Sequence, residues 1–172
     1  KKTDYELALT ILKDIKDTTG LWATCGIGPN MLLAKVAMDI EAKHNKEFIA
    51  KWTYEDIETK LWPITPLSKM WGIGPRMERN LNKLGIYSLK DLAYYDRNKL
   101  KTKYGVIGME LWNHANGIDL SRIQDYTKSY DKSYSHSQIL FKDYNESNIK
   151  IIIREMVDVI TERLRKNKKT CS

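Results

Sequence analysis

The chain has 172 residues, room for one full domain or two small ones, and a net charge of +7 from 29 basic and 22 acidic residues. The excess is uneven: residues 1–60 hold 9 basic against 10 acidic, 61–120 hold 9 against 5, and 121–172 hold 11 against 7. That fits a phosphate-binding surface over the last two thirds, although a lysine-rich solvated face would give the same balance. Cys25 and Cys171 fit no metal-ligand spacing, and His44, His114 and His136 form no cluster. No signal-peptide pattern and no apolar run of membrane-spanning length occurs, so a cytoplasmic protein with no membrane partner is expected.

Tyr5, Ala8, Leu12 and Ile15 give one helical stripe that ends before Gly20. Leu21 to Ile27 reads as a buried strand, with Cys25 a reduced thiol inside it. Gly26-Ile27-Gly28-Pro29 follows, and Leu32, Leu33, Val36, Ala37 and Ile40 make a helix to about Lys43. Phe48 to Trp52 reads as a second short strand. Thr53 and Asp56 suggest the cap of a helix that stops by Trp62-Pro63. These strand–helix units predict an α+β arrangement. The tryptophans at 22, 52, 62, 71 and 112 are mostly expected in the core.

From Thr65 to about Asp119 the pattern is helical throughout. A first helix opens at Thr65-Pro66 and runs to Met70. Trp71-Gly72-Ile73-Gly74-Pro75 then separates it from a second, carrying Met77, Leu81 and Leu84 with Gly85 as its stop. This is the pattern of a helix-hairpin-helix, a device for holding nucleic-acid backbone. Glycines let the chain approach a phosphate closely, and the following helix offers its free amides and positive dipole end. Pro75 suits the first helical turn. Gly72, Ile73, Gly74 and Arg76 are the candidate DNA contacts, with Arg79 and Lys83 read as solvated. A uniform backbone gives affinity without sequence choice.

Ser88 and Asp91 can cap a helix carrying Leu89 and Leu92, and another begins near Asp96. Tyr104-Gly105-Val106-Ile107-Gly108 resembles a second, less regular hairpin, which makes Gly105 and Gly108 further candidate contacts. It leads into a helix from Met109 to Asn116, stopped by Gly117. Residues 121–131 are polar and weakly patterned. Ser133, Ser135, Ser137, Ile139 and Phe141 alternate as a strand does. Ser147 can cap a long helix with Ile149, Ile152, Ile153, Met156, Ile160 and Leu164 inward. One strand and one helix cannot bury that stripe alone, so this piece looks cut short. Gly-Ile-Gly-Pro occurs at 26–29 and at 72–75, but one copy follows a strand and the other a helix, so it is not read as a repeat.

The segment Gly26-Ile27-Gly28-Pro29-Asn30-Met31-Leu32-Leu33-Ala34-Lys35-Val36-Ala37-Met38-Asp39 resembles the palm strand-to-helix segment of Y-family (UmuC/DinB-like) translesion DNA polymerases. That family's pattern is approximately G-I-[SG]-x-N-[KM]-x-[LF]-A-K-x-A. The order that follows is also similar: Trp62-Pro63-Ile64, the hairpin from Trp71 to Gly85, Ala115-Asn116-Gly117-Ile118-Asp119, and Lys132-Ser133-Tyr134-Ser135. The closest variety is the UmuC-like proteins of Gram-positive bacteria and their mobile elements.

The resemblance implies an α+β fragment of a right-handed polymerase. Residues 1–62 would be the C-terminal half of the palm and 63–120 an all-helical thumb with tandem helix-hairpin-helix motifs. A linker at 121–132 would lead to a truncated strand–helix start of the little finger at 133–172. It implies error-prone repair synthesis past damaged template bases in the parent, as part of the SOS response, with primer–template or damaged DNA, an incoming deoxynucleoside triphosphate and a sliding clamp as partners. Gln138-Ile139-Leu140-Phe141 loosely resembles a clamp peptide, but it lies in a predicted strand and is set aside. The family's magnesium-binding carboxylates lie earlier than Lys1, and Asp4 and Glu6 do not reproduce them. No catalytic or metal residue is therefore placed here, and the chain alone is expected to be inactive and to bind no magnesium tightly. Lys43 resembles the family lysine that contacts the triphosphate, though Glu41-Ala42-Lys43-His44 departs from the usual A-K-P. A solvated helix-end lysine is the rival reading. Lys35 is read as a structural ion-pair partner. The hairpin carbonyls, as in related hairpins, could hold a monovalent cation. The alternative from another class is a non-enzymatic tandem hairpin module that brings a partner to DNA in repair or recombination.

Overall fold

The computed structural model describes residues 2–122 and 133–170. The chain divides into two compact units, Lys1–Ile123 and Gln124–Ser172. Most of the predicted linker, 123–132, lies outside the described residues.

The first unit opens with α1 (Asp4–Thr19). A capping box in which Thr3 and Glu6 each bond the other's backbone amide starts it, and Gly20, at φ 75°, ends it. Strand β1 (Cys25–Ile27) leads into α2 (Met31–Ile40), and β2 (Ile49–Lys51) returns parallel to β1 with Cys25 opposite Ile49 and Ile27 opposite Lys51. Both strands are shorter than the sequence suggests. Leu21 and Trp22, expected inside β1, are exposed at 67% and 70% because the pairing begins only at Cys25. Helix α2 also stops earlier, at Ile40, and Lys43 falls on a separate 3₁₀ turn, Ala42–His44.

A π-helical turn (Ile57–Leu61) and a 3₁₀ turn (Leu67–Lys69) connect this βαβ unit to α3 (Pro75–Asn82), α4 (Leu89–Tyr94) and α5 (Arg97–Ala115). The Ser88–Asp91 capping box forms as the spacing predicts, and Asp96 caps α5 through the amides of Asn98 and Lys99. One continuous core joins both parts. It runs from Leu32, Leu33 and Val36 on α2 through Trp52 and Leu67 to Leu81, Leu92, Leu100 and Leu111. Each such side chain, fully buried, contributes about 1.5–3 kcal/mol relative to exposure.

In the second unit the predicted strand at 133–141 does not form. The described residues there lie in no ladder, and Ile139 and Phe141 are almost fully exposed. Alternation alone does not make a strand: its amides and carbonyls need a partner edge, and among the described residues none is present. Helix α6 (Ile149–Lys166) is as expected in position, but Asn148 rather than Ser147 stands at its start. The Asn145 side chain takes up Ser147 instead, accepting from its amide and hydroxyl at 3.0 and 2.6 Å. Of the α6 stripe only Ile152 is buried, and Arg163 donates to the Ser135 carbonyl at 3.0 Å.

Candidate nucleic-acid interface

The two Gly-Ile-Gly-Pro copies stand in opposite physical situations. At the first, a Cβ on Gly26 would lie 1.9 Å from the Ala34 carbonyl oxygen, and one on Gly28 2.5 Å from the Ala34 amide. Those glycines let β1 and α2 meet backbone to backbone. The amides that open α2 are taken: Leu33 donates to Asn30 Oδ1 at 2.8 Å and Leu32 to Asp119 Oδ2 at 2.9 Å. Asn30 Nδ2 also donates to the Gly117 carbonyl at 2.8 Å. The Gly117–Asp119 segment is thereby stapled onto the start of α2, where Asn30 and Asp119 take up the Leu33 and Leu32 amides.

At the second copy nothing is closed. Gly72 has φ 90° and Gly74 has φ −86°, ψ 169°, and a Cβ at either would meet no atom within 4 Å. Among the described residues the amides of Gly72, Gly74, Arg76 and Met77 make no hydrogen bond. Ile73 turns inward and is buried, with its amide donating to the Met70 carbonyl at 3.0 Å. Its part in the site is to anchor the loop from below. Arg76 is exposed on the first turn of α3, and no carboxylate pairs with it among the described residues. Free amides, a helix N-terminus and an unpaired guanidinium on one open face form an anion-binding arrangement.

The expected second hairpin is different. Helix α5 continues through it and leaves helical geometry only at Gly105 (φ 61°, ψ −135°), so 106–108 are helical and not a loop. Gly105 is open, as Gly72 is, with Val106 and Ile107 exposed beside it. Gly108 is not open. It is buried, and a Cβ there would lie 2.3 Å from the Leu100 carbonyl oxygen, so this glycine serves close packing across the kink.

Lys43 is not alone. Asp39 bridges it at 2.7 Å and Lys35 at 2.9 Å. Burial opposes ionisation of Asp39, and the hydrogen bonds from Lys43 and Lys35 outweigh it, holding the carboxyl below its usual range. These residues line a groove of about 850 Å³ together with His44, Lys69 and Trp71. Three lysines against one aspartate leave the groove cationic. Trp71 also borders a smaller recess of about 440 Å³, shared with Arg97, Glu110, Asn113, His114 and Asp119. Its indole stacks on His114 with centroids 6.1 Å apart and an interplanar angle of 23°. Burial lowers the His114 pKa against the opposing pull of Asp119 and Glu110.

A family model described as "impB/mucB/samB family" matches residues 1–39, and one described as "IMS family HHH motif" matches residues 54–86. The DNA repair protein homolog YobH of Bacillus subtilis (strain 168) is 48% identical over 147 residues, covering 85% of this chain and 68% of that protein. The chain belongs to the impB/mucB/samB group of the Y family. The B. subtilis protein named "Putative UV-damage repair protein UvrX" is 45% identical over 98% of this chain, and DNA polymerase IV 2 of the same organism 38% over 95%. The chain spans only about two fifths of the length of those two relatives (41% and 40%). DinB from Sulfolobus solfataricus shares the fold at TM-score 0.53 and 23% identity, covering 91% of this chain and 45% of its own. The match at residues 54–86 contains the open glycine pair and α3, so the family's hairpin coincides with the anion-binding face described above.

Sequence reasoning missed two members of this surface. Trp71, one of five tryptophans expected mostly in the core, is 49% exposed while Trp52 is 1% exposed. Its position directly before an exposed Gly-x-Gly turn was the available signal. Lys69 carries no sequence signal either, and only the fold brings its 3₁₀ turn to the groove that Lys35 and Asp39 of α2 also line. Among the described residues no three His, Cys, Asp or Glu converge to hold a metal, so magnesium has no fitted site in them. Among the described residues no helix is long and apolar enough to cross a membrane.

Proposed function

We propose that this chain is the DNA-gripping portion of an error-prone translesion DNA polymerase, with residues 1–62 its palm part, 63–120 its thumb and 133–172 the start of its little finger. The observation that carries this is the Gly72–Gly74 turn. A Cβ on either glycine would meet nothing inside the chain, and the two glycine amides are free, which the fold alone does not explain. Gly72, Gly74 and Arg76 bind a DNA phosphate, with Ile73 seating the turn. Gly105 offers a second backbone contact, and Gly108 sets the kink that presents it. A monovalent cation on the hairpin carbonyls would join turn to phosphate. Lys43, spread from Lys35 by Asp39, takes the triphosphate of an incoming nucleotide. Carboxylates other than those described would hold magnesium in the longer protein, where it would supply Lewis-acid stabilisation of the transferring phosphoryl group.

A sliding clamp is a further partner of the longer protein, with no contact residues assigned here, and the setting is the cytoplasm. A labelled primer–template duplex titrated with the chain should show roughly micromolar or weaker affinity and a steep fall with salt. The double variant Gly74→Ala with Arg76→Gln should bind at least about tenfold more weakly. Equal binding by variant and wild type would remove the hairpin from the interface. The polymerase assignment is tested separately by primer extension with magnesium on an abasic template, using the gene's full-length product. No extension, with DNA binding intact, would favour a non-enzymatic hairpin module.

A further inference from the structure

Trp71 is the residue whose placement the proposed grip leaves unexplained. A tryptophan beside a phosphate-binding turn contributes no charge, and half of this one is left in solvent. It borders both recesses, whereas His114 lines the smaller one alone. The near-parallel stack on His114 fixes the ring from one side. The larger groove that Trp71 also lines carries Lys35, Lys43 and Lys69 and, at about 850 Å³, is larger than a phosphate alone requires. An aromatic face adjoining a cationic groove is the combination that takes a whole nucleotide, with the phosphate on the ammonium groups and the base on the ring.

The geometry points to Trp71 as a base-stacking contact for the nucleotide whose phosphates the groove lysines hold. This rests on the DNA-binding reading above and adds to it the recognition of an unpaired base. Stacked duplex bases present no free face, so the occupant is either an unpaired nucleotide of a strand or a free nucleoside triphosphate. Both offer the same chemistry: one exposed base and its phosphates.

The test compares the full chain with Trp71→Ala, Trp71→Phe and Trp22→Phe, the last altering an exposed indole that lines a different recess. Anisotropy of a labelled single-stranded oligodeoxynucleotide and of a blunt duplex is followed across salt, with dATP as competitor. Loss of base–aromatic stacking should weaken single-strand binding about 5- to 100-fold in Trp71→Ala. Trp71→Phe should recover most of it, and Trp22→Phe should match wild type. The salt slope should stay the same, because no ionic contact is removed. Blunt-duplex affinity should stay within about twofold of wild type in every variant, since stacking on an unpaired base is absent there. Competition by dATP identifies the free nucleotide as occupant, and its failure identifies the strand. Unchanged single-strand affinity in Trp71→Ala, with duplex binding intact and sensitive to Gly74, overturns this inference alone. Absence of binding to either DNA overturns the grip reading with it. Equal losses on duplex and single strand, not recovered by phenylalanine, would reduce Trp71 to a structural support of the turn.

Discussion

Replacing Gly74 by alanine separates the demands of the fold from those of DNA. The backbone there (φ −86°, ψ 169°) is extended and open to any residue, and the new methyl would have no neighbour within 4 Å. Restricting the unfolded chain favours the variant by about 0.4–1 kcal/mol. Alanine is a poorer N-cap than glycine, by an amount of the same order, about 0.5–1 kcal/mol. The two nearly cancel, so the melting temperature of a chain this size should move by no more than about 3 °C. DNA binding has no such compensation. The methyl stands where a phosphate must approach the free amides of Arg76 and Met77, and each hydrogen bond to a charged acceptor is worth about 1.5–3 kcal/mol. Losing one lowers affinity about 10- to 100-fold. Anisotropy with a labelled primer–template at low salt reads this directly, with thermal melting as the control. Wild-type affinity in a normally folded Gly74→Ala protein would refute the argument that the open glycine exists for a phosphate.

Gly28→Ala should do the reverse. Its Cβ would overlap the Ala34 amide, so β1 and α2 must separate, at a cost of at least about 1–3 kcal/mol seen as a lower urea midpoint, and an unchanged midpoint would contradict the packing. Arg76→Gln should reduce the slope of log affinity against log salt by about one, uniformly across DNA sequences, as measured by salt titration. Asp119→Ala removes the acceptor of the Leu32 amide and should cost about 1 kcal/mol, or roughly 2–4 °C in melting temperature. His114, with its folded pKa depressed below 6.5 by burial, binds protons less readily than in the unfolded chain. Stability should therefore be full above pH 6.5 and fall as pH drops from there towards the folded pKa, a fall that His114→Gln should remove in pH-dependent melting. Asp39 and Asp119 are also depressed. Burial opposes each, and is outweighed by Lys43 and Lys35 at Asp39 and by Ser121 at Asp119. Their contribution is present above pH 3.8 and is lost as pH falls through their folded values below it.

Local chemistry was legible in the sequence where it acts over a few residues. The Ser88–Asp91 box, the Asp96 cap, Pro75 at the head of α3 and the positive φ of Gly85 and Gly117 all follow from short-range rules. The apolar stripe of α2 likewise placed Leu32, Leu33, Val36 and Ala37 in the core. What escaped depends on partners distant along the chain. Asp119 reaches the Leu32 amide across 87 positions, and no local pattern announces it. Gly108 reads as a hairpin glycine until the kink at Gly105 brings it against the Leu100 carbonyl. Residues 133–141 alternate correctly, but strand formation is decided by an edge that their own pattern cannot supply.

The same four residues, Gly-Ile-Gly-Pro, thus serve two ends, and what distinguishes them is the state of the helix that follows. Ahead of α2, Asn30 and Asp119 occupy the first amides, and the glycines are consumed by contact with Ala34. Ahead of α3, no side chain caps the helix, and Pro75 occupies a position where an amide hydrogen would otherwise lack an intrahelical partner. An uncapped helix end leaves orphan donors whose partners must come from water or from a ligand. Asparagine, aspartate or serine at position 74 would satisfy an amide internally at little steric cost, since the space beside Gly74 is empty. Glycine there forgoes that stabilisation and keeps the donors available. A helix held uncapped beside Arg76, beginning four residues after the Trp71 that lines the groove of Lys35, Lys43 and Lys69, is what the proposed grip on an external phosphate requires.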